Sequence, residues 1–433
     1  MIPVLKTDGK RELEFLEQLS RRNGEVNKTV TDSVTQIIED VRTLGDKAVL
    51  DYTLKFDGKL PPSIEVPREE INDALTAADQ VFVSSLLNAM ENIVDFHSRQ
   101  KQQGFINPLP NGVIMGQRVR GLERVGLYVP GGTAAYPSSV LMNAVPAKIA
   151  GVKEIIMVTP PTKEGKANPD ILVAAAIAGV DRVFLLGGAQ AVAALAYGTE
   201  TVPKVDKIVG PGNIYVATAK KLLYGVVDID MIAGPSEILV LADESADPKF
   251  LAADLMSQAE HDRLASAILL TTSERIANET IVEIKRQIQT LSRREIIEES
   301  LRNYGVVMIC SSMDEAVELA NRIAPEHLEV MVENPMSYIG KLDNAGSVFL
   351  GKYAPEPLGD YYAGPNHVLP TSGTARFFSP LSVEDFVKRS SFIYYTEDAL
   401  NEAQDDIVCI AKREGLTAHA NSITVRFEGG VRP

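Results

Sequence analysis

Two polar side chains with metal-binding atoms share one edge of a predicted helix. Asp247 suits the N-cap and Pro248 the first helical position, where a missing N–H costs nothing. Apolar residues then recur at helical spacing through Ala259, and Gln258 and His261 fall together on a neighbouring stripe. An amide oxygen and an imidazole at this spacing can hold one metal ion from two sides. Because two ligands do not define a site, a capped surface helix with solvated side chains remains the competing interpretation.

Glu326 and His327 are adjacent in the turn between a predicted helix, 314–323, and a predicted strand, 328–332. Such a turn can aim both side chains outward, where they offer two proton-transfer groups of different pKa. The alternative is a surface turn whose two polar residues are merely solvated.

Two further stretches carry residues of the same chemical types. Asp360 lies in a loop rich in Gly, Asp and His, 359–367, and could bring a carboxylate to a metal. An Asx-type turn at Asp360 is an equally good explanation. His419 follows a helix that ends at Glu414 and Gly415, and by itself it is most simply a structural histidine.

The two cysteines, Cys310 and Cys409, both lie in apolar runs and form no CxxC pair. We expect both thiols to be buried and unreactive, so that an aldehyde oxidation here would use activated water rather than a thiohemiacetal. Two cysteines cannot build a disulfide framework in a chain of this size, and we therefore expect a reducing, cytoplasmic location.

Composition bounds the class of protein. A chain of 433 residues is too long for one compact core and predicts two to four domains. A net charge of −15, no Trp and 6% aromatic residues argue against nucleic acid or anionic lipid as a partner. The N-terminus has no long apolar region, and no apolar stretch approaches membrane-spanning length, so no membrane partner is expected.

A strand, a glycine-bearing loop and a helix alternate through the middle of the chain, which is typical of a parallel sheet with crossover helices. Three such loops occur, at 130–133, 187–190 and 210–213. Helix starts of this kind offer free N–H groups to a phosphate. The GxGxxG fingerprint followed by an acidic residue is not present in proper form, so glycines needed only for tight turns explain the pattern equally well.

These patterns predict an α/β protein with two Rossmann-like parallel-sheet domains, one inserted in the other, and small helical segments at both termini. The expected divisions are an N-terminal arm with one helix, 1–24; a first α/β domain, 25–126 with 237–380, that carries the metal and catalytic residues; an inserted Rossmann-like domain, 127–236; and a helical C-terminal segment, 381–433, that ends in an edge strand at 422–427.

Long motifs recur from about residue 25 to the end of the chain. In order they are GLYVPGGTAAYPSSVLMNAVPAKIAG at 126–151, GGAQAVAALAYGTE at 187–200, VDKIVGPGN at 205–213, IAGPSEILVLAD at 232–243, LMSQAEHD at 255–262, APEHLEV at 324–330, NAGSVFLG at 344–351, GDYYAGPNHVLPTSG at 359–373 and LTAHANS at 416–422. This series closely resembles the histidinol dehydrogenase family, and the N-terminal arm is its least securely matched part.

The resemblance implies a function. Members of this family oxidise L-histidinol through L-histidinaldehyde to L-histidine, a four-electron oxidation that uses two NAD⁺ in turn and completes histidine biosynthesis. Each subunit holds one Zn²⁺, with protein ligands that here would be Gln258, His261, Asp360 and His419. The substrate would contact these four ligands together with Ser236, His327 and Glu414. NAD would contact Tyr128, Gln190 and Asn213.

The resemblance also assigns roles. His327 would take the alcohol proton and act again as base in the second oxidation, and Glu326 would activate water for attack on the aldehyde. A homodimer is implied in which residues 381–433 cross over, so that Glu414 and His419 complete the partner's site. A zinc hydrolase with Glu326 as base, and a non-catalytic metal-stabilised binding protein, remain alternatives at this point.

Overall fold

The computed structural model describes residues 2–24, 28–131 and 135–428. Its strands are β1 (Val4–Lys6), β2 (Phe105–Pro108), β3 (Ile114–Gly121), β4 (Arg124–Tyr128), β5 (Glu154–Thr159), β6 (Arg182–Leu185), β7 (Lys207–Val209), β8 (Asp228–Ile229), β9 (Glu237–Ala242), β10 (Ser266–Thr271), β11 (Gly305–Ile309), β12 (His327–Met331), β13 (Ser347–Leu350) and β14 (Val387–Tyr394).

The helices alternate with these strands over most of the chain. They are α1 (Arg11–Gly24), α2 (Lys28–Leu44), α3 (Asp46–Asp57), α4 (Arg68–Ala77), α5 (Gln80–Ser98), α6 (Pro137–Ala150), α7 (Pro169–Ala178), α8 (Gly188–Tyr197), α9 (Ile214–Leu223), α10 (Pro248–Ala259), α11 (Glu274–Gln287), α12 (Arg294–Asn303), α13 (Met313–Ile323), α14 (Glu356–Tyr361), α15 (Glu397–Arg413) and α16 (Thr417–Thr424). Short 3-10 turns occupy Ile288–Thr290, Pro335–Lys341, Thr374–Arg376 and Val383–Phe386.

A six-stranded parallel sheet has the strand order β1-β11-β10-β9-β12-β13. Successive side chains of β9 point to opposite faces, as the two-residue period of a strand requires. Ile238 and Val240 pack with residues of α10, α11 and α12, whereas Leu239 and Leu241 pack with residues of α1 and α13. The sheet is therefore buried on both faces, as parallel sheets are.

A second parallel sheet has five strands in the order β6-β5-β4-β7-β8. Its β5 side chains alternate in the same way. Ile155 and Met157 join a core with residues of α4 to α7, whereas Ile156 and Val158 join a core with residues of α2, α3, α8 and α9. Since all five strands lie in the chain between β1 and β9, this unit is inserted in the first. The predicted α/β class with two parallel sheets, one inserted in the other, is confirmed.

Two details of the predicted organisation differ from the structure. The arm 1–24 contains a strand as well as a helix, because Val4–Lys6 pairs in parallel with Val307–Ile309 at the edge of the six-stranded sheet. Helices α2 to α5 pack on the five-stranded sheet, although residues 25–126 had been grouped with 237–380. The predicted domain boundaries themselves stay a prediction.

By its contacts the chain divides into two compact units, Met1–Lys101 with Gly121–Phe386, and Gln102–Arg120 with Val387–Pro433. The smaller unit contains a three-stranded sheet of order β14-β3-β2 and the helices α15 and α16. The C-terminal segment is therefore not purely helical, since Val387–Tyr394 is a strand with several β-branched and aromatic residues.

The edge strand predicted at 422–427 is wrong, because residues 417–424 form α16 and a turn follows. A short apolar stretch suggested a strand here. In the structure its first residues belong to α16, a helix that begins about one turn after α15 ends. Among the helices of the described ranges, none combines the length and apolar content required to cross a lipid bilayer.

Candidate active site

The candidate metal ligands Gln258 and His261 lie at the C-terminal end of α10. The helix begins as predicted, with the Asp247 carboxylate accepting a hydrogen bond from the Lys249 N–H at 2.9 Å. The Gln258 side chain is fully buried, yet neither amide atom has a hydrogen-bond partner among the described residues. A buried amide without a partner is costly, and a bound ligand would remove that cost.

Three side chains at this helix end could share one metal ion. One ligand atom each from His261, Glu356 and Asp360 lies within 4.8 Å of the others. His261 and Asp360 were predicted as ligands, but Glu356 was not. It opens the short helix α14, four residues before Asp360, so both carboxylates lie on one face of that helix.

Glu326 and His327 lie where α13 gives way to β12. Helix α13 ends at Ile323, and Ala324 adopts the left-handed conformation that turns the chain into the strand. Both side chains then bond to the first residue of β9. The Glu326 carboxyl Oε2 accepts the Glu237 N–H at 2.9 Å, and the His327 Nδ1 lies 3.0 Å from the Glu237 carbonyl.

The hydrogen bond to the Glu237 carbonyl determines which nitrogen of the His327 imidazole carries the lone pair. With Nδ1–H donating to the Glu237 carbonyl, Nε2 carries the lone pair of the neutral ring. Burial lowers the pKa of His327 to about 4, opposed by the negative Asp360. The ring is therefore neutral at physiological pH, with its lone pair at Nε2.

The carboxyl groups around His327 respond to burial in the opposite direction. Burial raises the pKa of Glu326 well above its ordinary value, and the nearby acids Glu237, Asp360 and Glu356 add to this effect. Burial likewise raises the pKa of Glu356 to about 9, again with a contribution from Asp360. These carboxyl groups are stronger bases than exposed carboxylates.

Glu356 connects the catalytic pair to the end of α10. Its Oε1 lies 3.9 Å from the His327 Nε2, and its Oε2 accepts a hydrogen bond from the Ser257 hydroxyl at 3.2 Å. Behind it, the Glu329 carboxylate accepts the backbone N–H of Glu356 at 2.8 Å. Asp254, one turn before Gln258, faces Glu329, and burial raises the pKa of Asp254 to about 6.

Asp360 is held by its neighbour His367. The His367 Nδ1 lies 3.1 Å from the Asp360 carbonyl, and its Nε2 lies 3.2 Å from the Ser139 hydroxyl on α6. A cavity of about 260 Å³ opens between His327, Phe349, Asp360 and His367. Ser236, the predicted substrate contact, immediately precedes Glu237, and its carbonyl accepts the Ser266 N–H at 3.0 Å.

The predicted cofactor residues all follow strands of the five-stranded sheet. Tyr128 ends β4, and its hydroxyl accepts the Gly188 N–H at 3.0 Å at the start of α8. Gln190 is buried in the first turn of α8, and neither of its amide atoms has a hydrogen-bond partner in the described part of the chain. Asn213 is the N-cap of α9 and accepts the N–H groups of the next turn at 3.0 and 3.2 Å. In the first glycine loop, residues 132–134 lie outside the described residues.

A buried ion pair fixes the third glycine loop. Gly210 has φ 108°, and a Cβ there would lie 2.2 Å from the Tyr128 carbonyl, so only glycine fits. The Asp230 carboxylate accepts the Gly210 N–H at 2.7 Å, and the Lys220 ammonium donates to the Gly210 carbonyl at 3.0 Å. Lys220 and Asp230 also form an ion pair with each other, and both side chains are almost fully buried.

The remaining predicted residues lie in the smaller compact unit. Glu414 is the C-cap of α15 and His419 lies on α16, and both side chains are exposed in the isolated chain. The thiols differ from the prediction in one respect. Cys310 is buried, which raises its pKa to about 12, whereas Cys409 is exposed on α15. The buried thiol is thus unreactive, as expected.

The fold and the site together define a class of protein. The neutral imidazole of His327 and the carboxylate of Asp360 line one cavity, and Asp360 also belongs to the cluster of ligand atoms with His261 and Glu356. The inserted sheet has the glycine-led helix starts of nucleotide-binding enzymes. These features are typical of an α/β enzyme that transfers protons and binds a nucleotide, and the cluster of ligand atoms could hold a metal ion.

Comparison with known proteins identifies the family. Residues 20–427 match the family model described as histidinol dehydrogenase. Histidinol dehydrogenase from Clostridium acetobutylicum is 60% identical over 415 residues, which are 96% of each chain. The protein of that name from Bacillus cereus is 55% identical over 425 residues, 98% of this chain and 99% of the relative.

A solved structure agrees with these relatives. The crystal structure of histidinol dehydrogenase from Elizabethkingia anophelis superposes with a TM-score of 0.91 at 38% identity, covering 99% of this chain and 98% of that one. The chain belongs to the histidinol dehydrogenase family.

Proposed function

We propose that this chain oxidises L-histidinol through L-histidinaldehyde to L-histidine with two NAD⁺ in turn. The observation that carries the proposal is the neutral His327, whose Nε2 lies beside the His261, Glu356 and Asp360 cluster at the cavity. In each oxidation a hydride passes to NAD⁺ and a proton passes to a base. Between the two oxidations water adds to the aldehyde and supplies the second oxygen of the product.

Zn²⁺ suits the residues at the end of α10. Gln258, His261 and Asp360 supply amide oxygen, imidazole and carboxylate, and His419 of the partner subunit would supply a second imidazole. The unpartnered amide of Gln258 supports this assignment, because a ligand would satisfy it. When bound, the ion would hold the imidazole and amino nitrogens of the substrate and orient it as a template. Glu356 lies close enough to be a further ligand or to adjust its neighbours.

His327 is the base for both hydride transfers. Its Nδ1 is committed to the Glu237 carbonyl, so the proton of the substrate hydroxyl goes to Nε2 as the hydride leaves the carbon. The same atom takes the proton of the aldehyde hydrate in the second oxidation, after the first proton has been released.

Glu326 activates the water that attacks the aldehyde. Its Oε2 is tied to the Glu237 N–H, which orients the carboxyl group, and burial makes it a stronger base than an exposed glutamate. Water is the appropriate nucleophile because the Cys310 thiol is buried with a raised pKa and is not part of this cavity.

NAD⁺ would bind at the ends of β4, β6 and β7, in contact with Tyr128, Gln190 and Asn213. The positive dipole ends at the starts of α8 and α9 suit its pyrophosphate. These helix starts favour a dehydrogenase over a zinc hydrolase, which has no use for them.

The active enzyme would be a homodimer. The smaller compact unit exposes the apolar side chains Ile106, Ile393 and Ile410, each more than half accessible in the isolated chain. Surfaces of this kind are typical of subunit contacts. Glu414 and His419 would then complete the site of the other subunit. With its net charge of −15 and free cysteines, the protein is proposed to be cytoplasmic, with no nucleic-acid or membrane partner.

The direct test follows absorbance in the NADH band after L-histidinol and NAD⁺ are mixed with the purified protein. We expect two NADH for each L-histidine formed, loss of activity with a chelator, and recovery on addition of Zn²⁺. A folded, metal-loaded sample that forms no NADH would refute the assignment. Unchanged activity in a verified metal-free sample would refute the metal requirement alone.

Subunit exchange tests the shared site. His261→Ala and His419→Ala homodimers should each be inactive, because each site lacks one ligand. After dissociation and random reassembly, about half of the dimers are mixed, and each has one intact site if the segment crosses over, so roughly a quarter of wild-type activity should return. If His419 acts within its own subunit, every site keeps one defect and mixing restores nothing.

A further inference from the structure

Asp57 is placed where a carboxylate destabilises the fold. It is the last residue of α3, and the left-handed Gly58 follows it. A negative charge at the C-terminal end of a helix meets the negative end of the helix dipole. The side chain is also partly buried, and its Oδ2 has no hydrogen-bond partner within the described ranges. Burial raises the pKa of Asp57. Each of these features is unfavourable for stability, so the residue needs another explanation.

The chain after Asp57 leads along the five-stranded sheet. The Leu185 N–H donates to the Ile64 carbonyl at 2.8 Å, and Glu65 pairs with Phe184 in the antiparallel sense. Because this segment runs opposite to β6, the residues before Ile64 lie beyond the carboxyl end of that strand. The Leu60 carbonyl accordingly lies against Gly165, in the loop that follows β5. Asp57 therefore lies at the edge where nucleotides bind to such sheets.

Another polar side chain at the same edge, Gln190, also lacks a hydrogen-bond partner among the described residues. Burial raises the pKa of Tyr128 to about 12, with a smaller contribution from the negative charge of Asp57. Tyr128 in turn accepts the Gly188 N–H, and the unpartnered Gln190 amide folds back to the same glycine, its Oε1 only 2.7 Å from where a Cβ would lie. A phenol and an amide at the start of α8, with a carboxylate at the same edge of the sheet, are suited to a ligand that carries several hydroxyl groups.

The end of the second strand of the inserted domain has no carboxylate. In sheets of this type, an acidic residue at that position binds the ribose hydroxyls of NAD. Here the strand is β5, which ends in Thr159-Pro160-Pro161, and the first acidic residue of the following loop, Glu164, has its carboxylate engaged by Thr162. Asp57 supplies a carboxylate from outside the inserted domain, at the end of α3.

We propose that Asp57 accepts hydrogen bonds from the adenosine ribose hydroxyls of NAD and, by its charge, excludes the 2′-phosphate of NADP. The inference rests on the proposed use of NAD at this edge and adds the residue that selects between the two cofactors. A charge-assisted hydrogen bond to a hydroxyl favours binding of NAD, and the same charge close to a phosphate disfavours NADP.

The experiment compares Asp57→Asn with wild type in two assays. The first titrates NADH and NADPH by their own fluorescence, and the second measures kcat/KM for NAD⁺ and NADP⁺ with L-histidinol. We expect Asp57→Asn to weaken NADH binding about tenfold and to reduce the preference for NAD⁺ over NADP⁺ about a hundredfold. The KM for L-histidinol and the bound metal should not change. Asp51→Asn is the matched control, because Asp51 is an exposed aspartate on the same helix.

Thermal unfolding separates this role from a structural one. If Asp57 is retained for cofactor selection, Asp57→Asn should unfold at the same temperature as wild type or higher, because an unpaired, partly buried charge is removed. An unchanged preference for NAD⁺ would overturn the proposal, as would a lower unfolding temperature with equal losses for both cofactors. Failure of the wild type to oxidise L-histidinol would instead count against the proposed function, since the fluorescence titration does not depend on turnover.

Discussion

The candidate site residues of this protein lie at opposite edges of its two parallel sheets. In the five-stranded sheet the candidate cofactor residues follow strands, with Tyr128 at the end of β4 and Gln190 after β6. In the six-stranded sheet the candidate catalytic residues precede strands, with Ser236 before β9 and Glu326 and His327 at the start of β12. One sheet thus works at its carboxyl edge and the other at its amino edge.

The difference follows from where the helices begin and end. At the carboxyl edge of a parallel sheet the following helices begin, so free N–H groups and positive dipole ends face a ligand such as a pyrophosphate. At the amino edge the preceding helices end, here α10 at Ala259 and α13 at Ile323. Helix ends present carbonyl groups and partial negative charge, which favours a cation. The edge that a site uses therefore matches the charge of what it binds.

The buried charges differ as well. The amino edge of the six-stranded sheet collects carboxyl groups whose pKa burial raises, among them Glu326, Glu329 and Glu356. The carboxyl edge of the five-stranded sheet relies mainly on glycine and backbone groups, and its buried charges Lys220 and Asp230 neutralise each other. Mutations at the two edges should therefore have separable effects.

The largest effect is expected from Lys220→Met at the carboxyl edge. The change leaves the Asp230 carboxylate buried without its counter-ion, and breaking a buried pair in this way costs about 3–5 kcal/mol of stability. Because the pair also holds Gly210, the KM for NAD⁺ should rise, while bound metal and the KM for L-histidinol stay the same. Urea unfolding, metal analysis and steady-state kinetics provide these measurements.

Lys221→Met is the control for this change, since Lys221 is the exposed neighbour on the same helix. It should leave both stability and cofactor binding unchanged. Loss of metal from the Lys220→Met protein, with NAD⁺ binding intact, would show that the two edges are not independent.

Glu326→Gln is expected to have the next largest effect, at the amino edge. The amide keeps the shape of the side chain but cannot take a proton from water, so overall turnover should fall about a hundredfold. The first hydride transfer in a single turnover should be largely preserved, because His327 and not Glu326 accepts the alcohol proton. Stopped-flow absorbance of NADH distinguishes the two steps. Equal losses in both would mean that Glu326 instead orients His327.

The carboxyl edge was largely predictable from sequence, whereas the amino edge was only partly so. Strand, glycine loop and helix are local patterns, and they predicted the strand ends and loops in which Tyr128, Gln190 and Asn213 lie. The cofactor role of these three residues came from the family resemblance and stays a prediction. The pairing of Gln258 with His261 was an equally local prediction, made from their spacing on one predicted helix edge. In the structure α10 ends at Ala259, so His261 lies in the turn that follows it. Glu356 was missed because Pro355 and a short helix give no signal of chemistry, and its partner Ser257 is far away in the chain.

Long-range packing accounts for the other differences. The pairing of β1 with β11 joins residues about 300 positions apart, and three residues at an edge carry too weak a pattern to predict it. The helices α2 to α5 are amphipathic, but their stripes do not specify which sheet they cover. Asp57 stood out only when its burial, its missing partner and its position beyond β6 were seen together.

The smallest effect concerns the pH dependence of stability at the amino edge, through Asp254. Burial raises its pKa from 3.8 to about 6, so the folded protein holds this proton more tightly than the unfolded chain does. The resulting stabilisation is complete below pH 3.8 and is lost as the pH rises to about 6. Asp254→Asn removes this dependence, so its unfolding temperature relative to wild type should increase by a few degrees between pH 4 and pH 6 and stay level above pH 7. Asp51→Asn, at an exposed position on the other sheet's helices, should show no such change. If the difference in unfolding temperature between Asp254→Asn and wild type does not vary between pH 4 and pH 6, the Asp254 carboxyl titrates like an exposed one. Burial would then not distinguish the two sheet edges in this way.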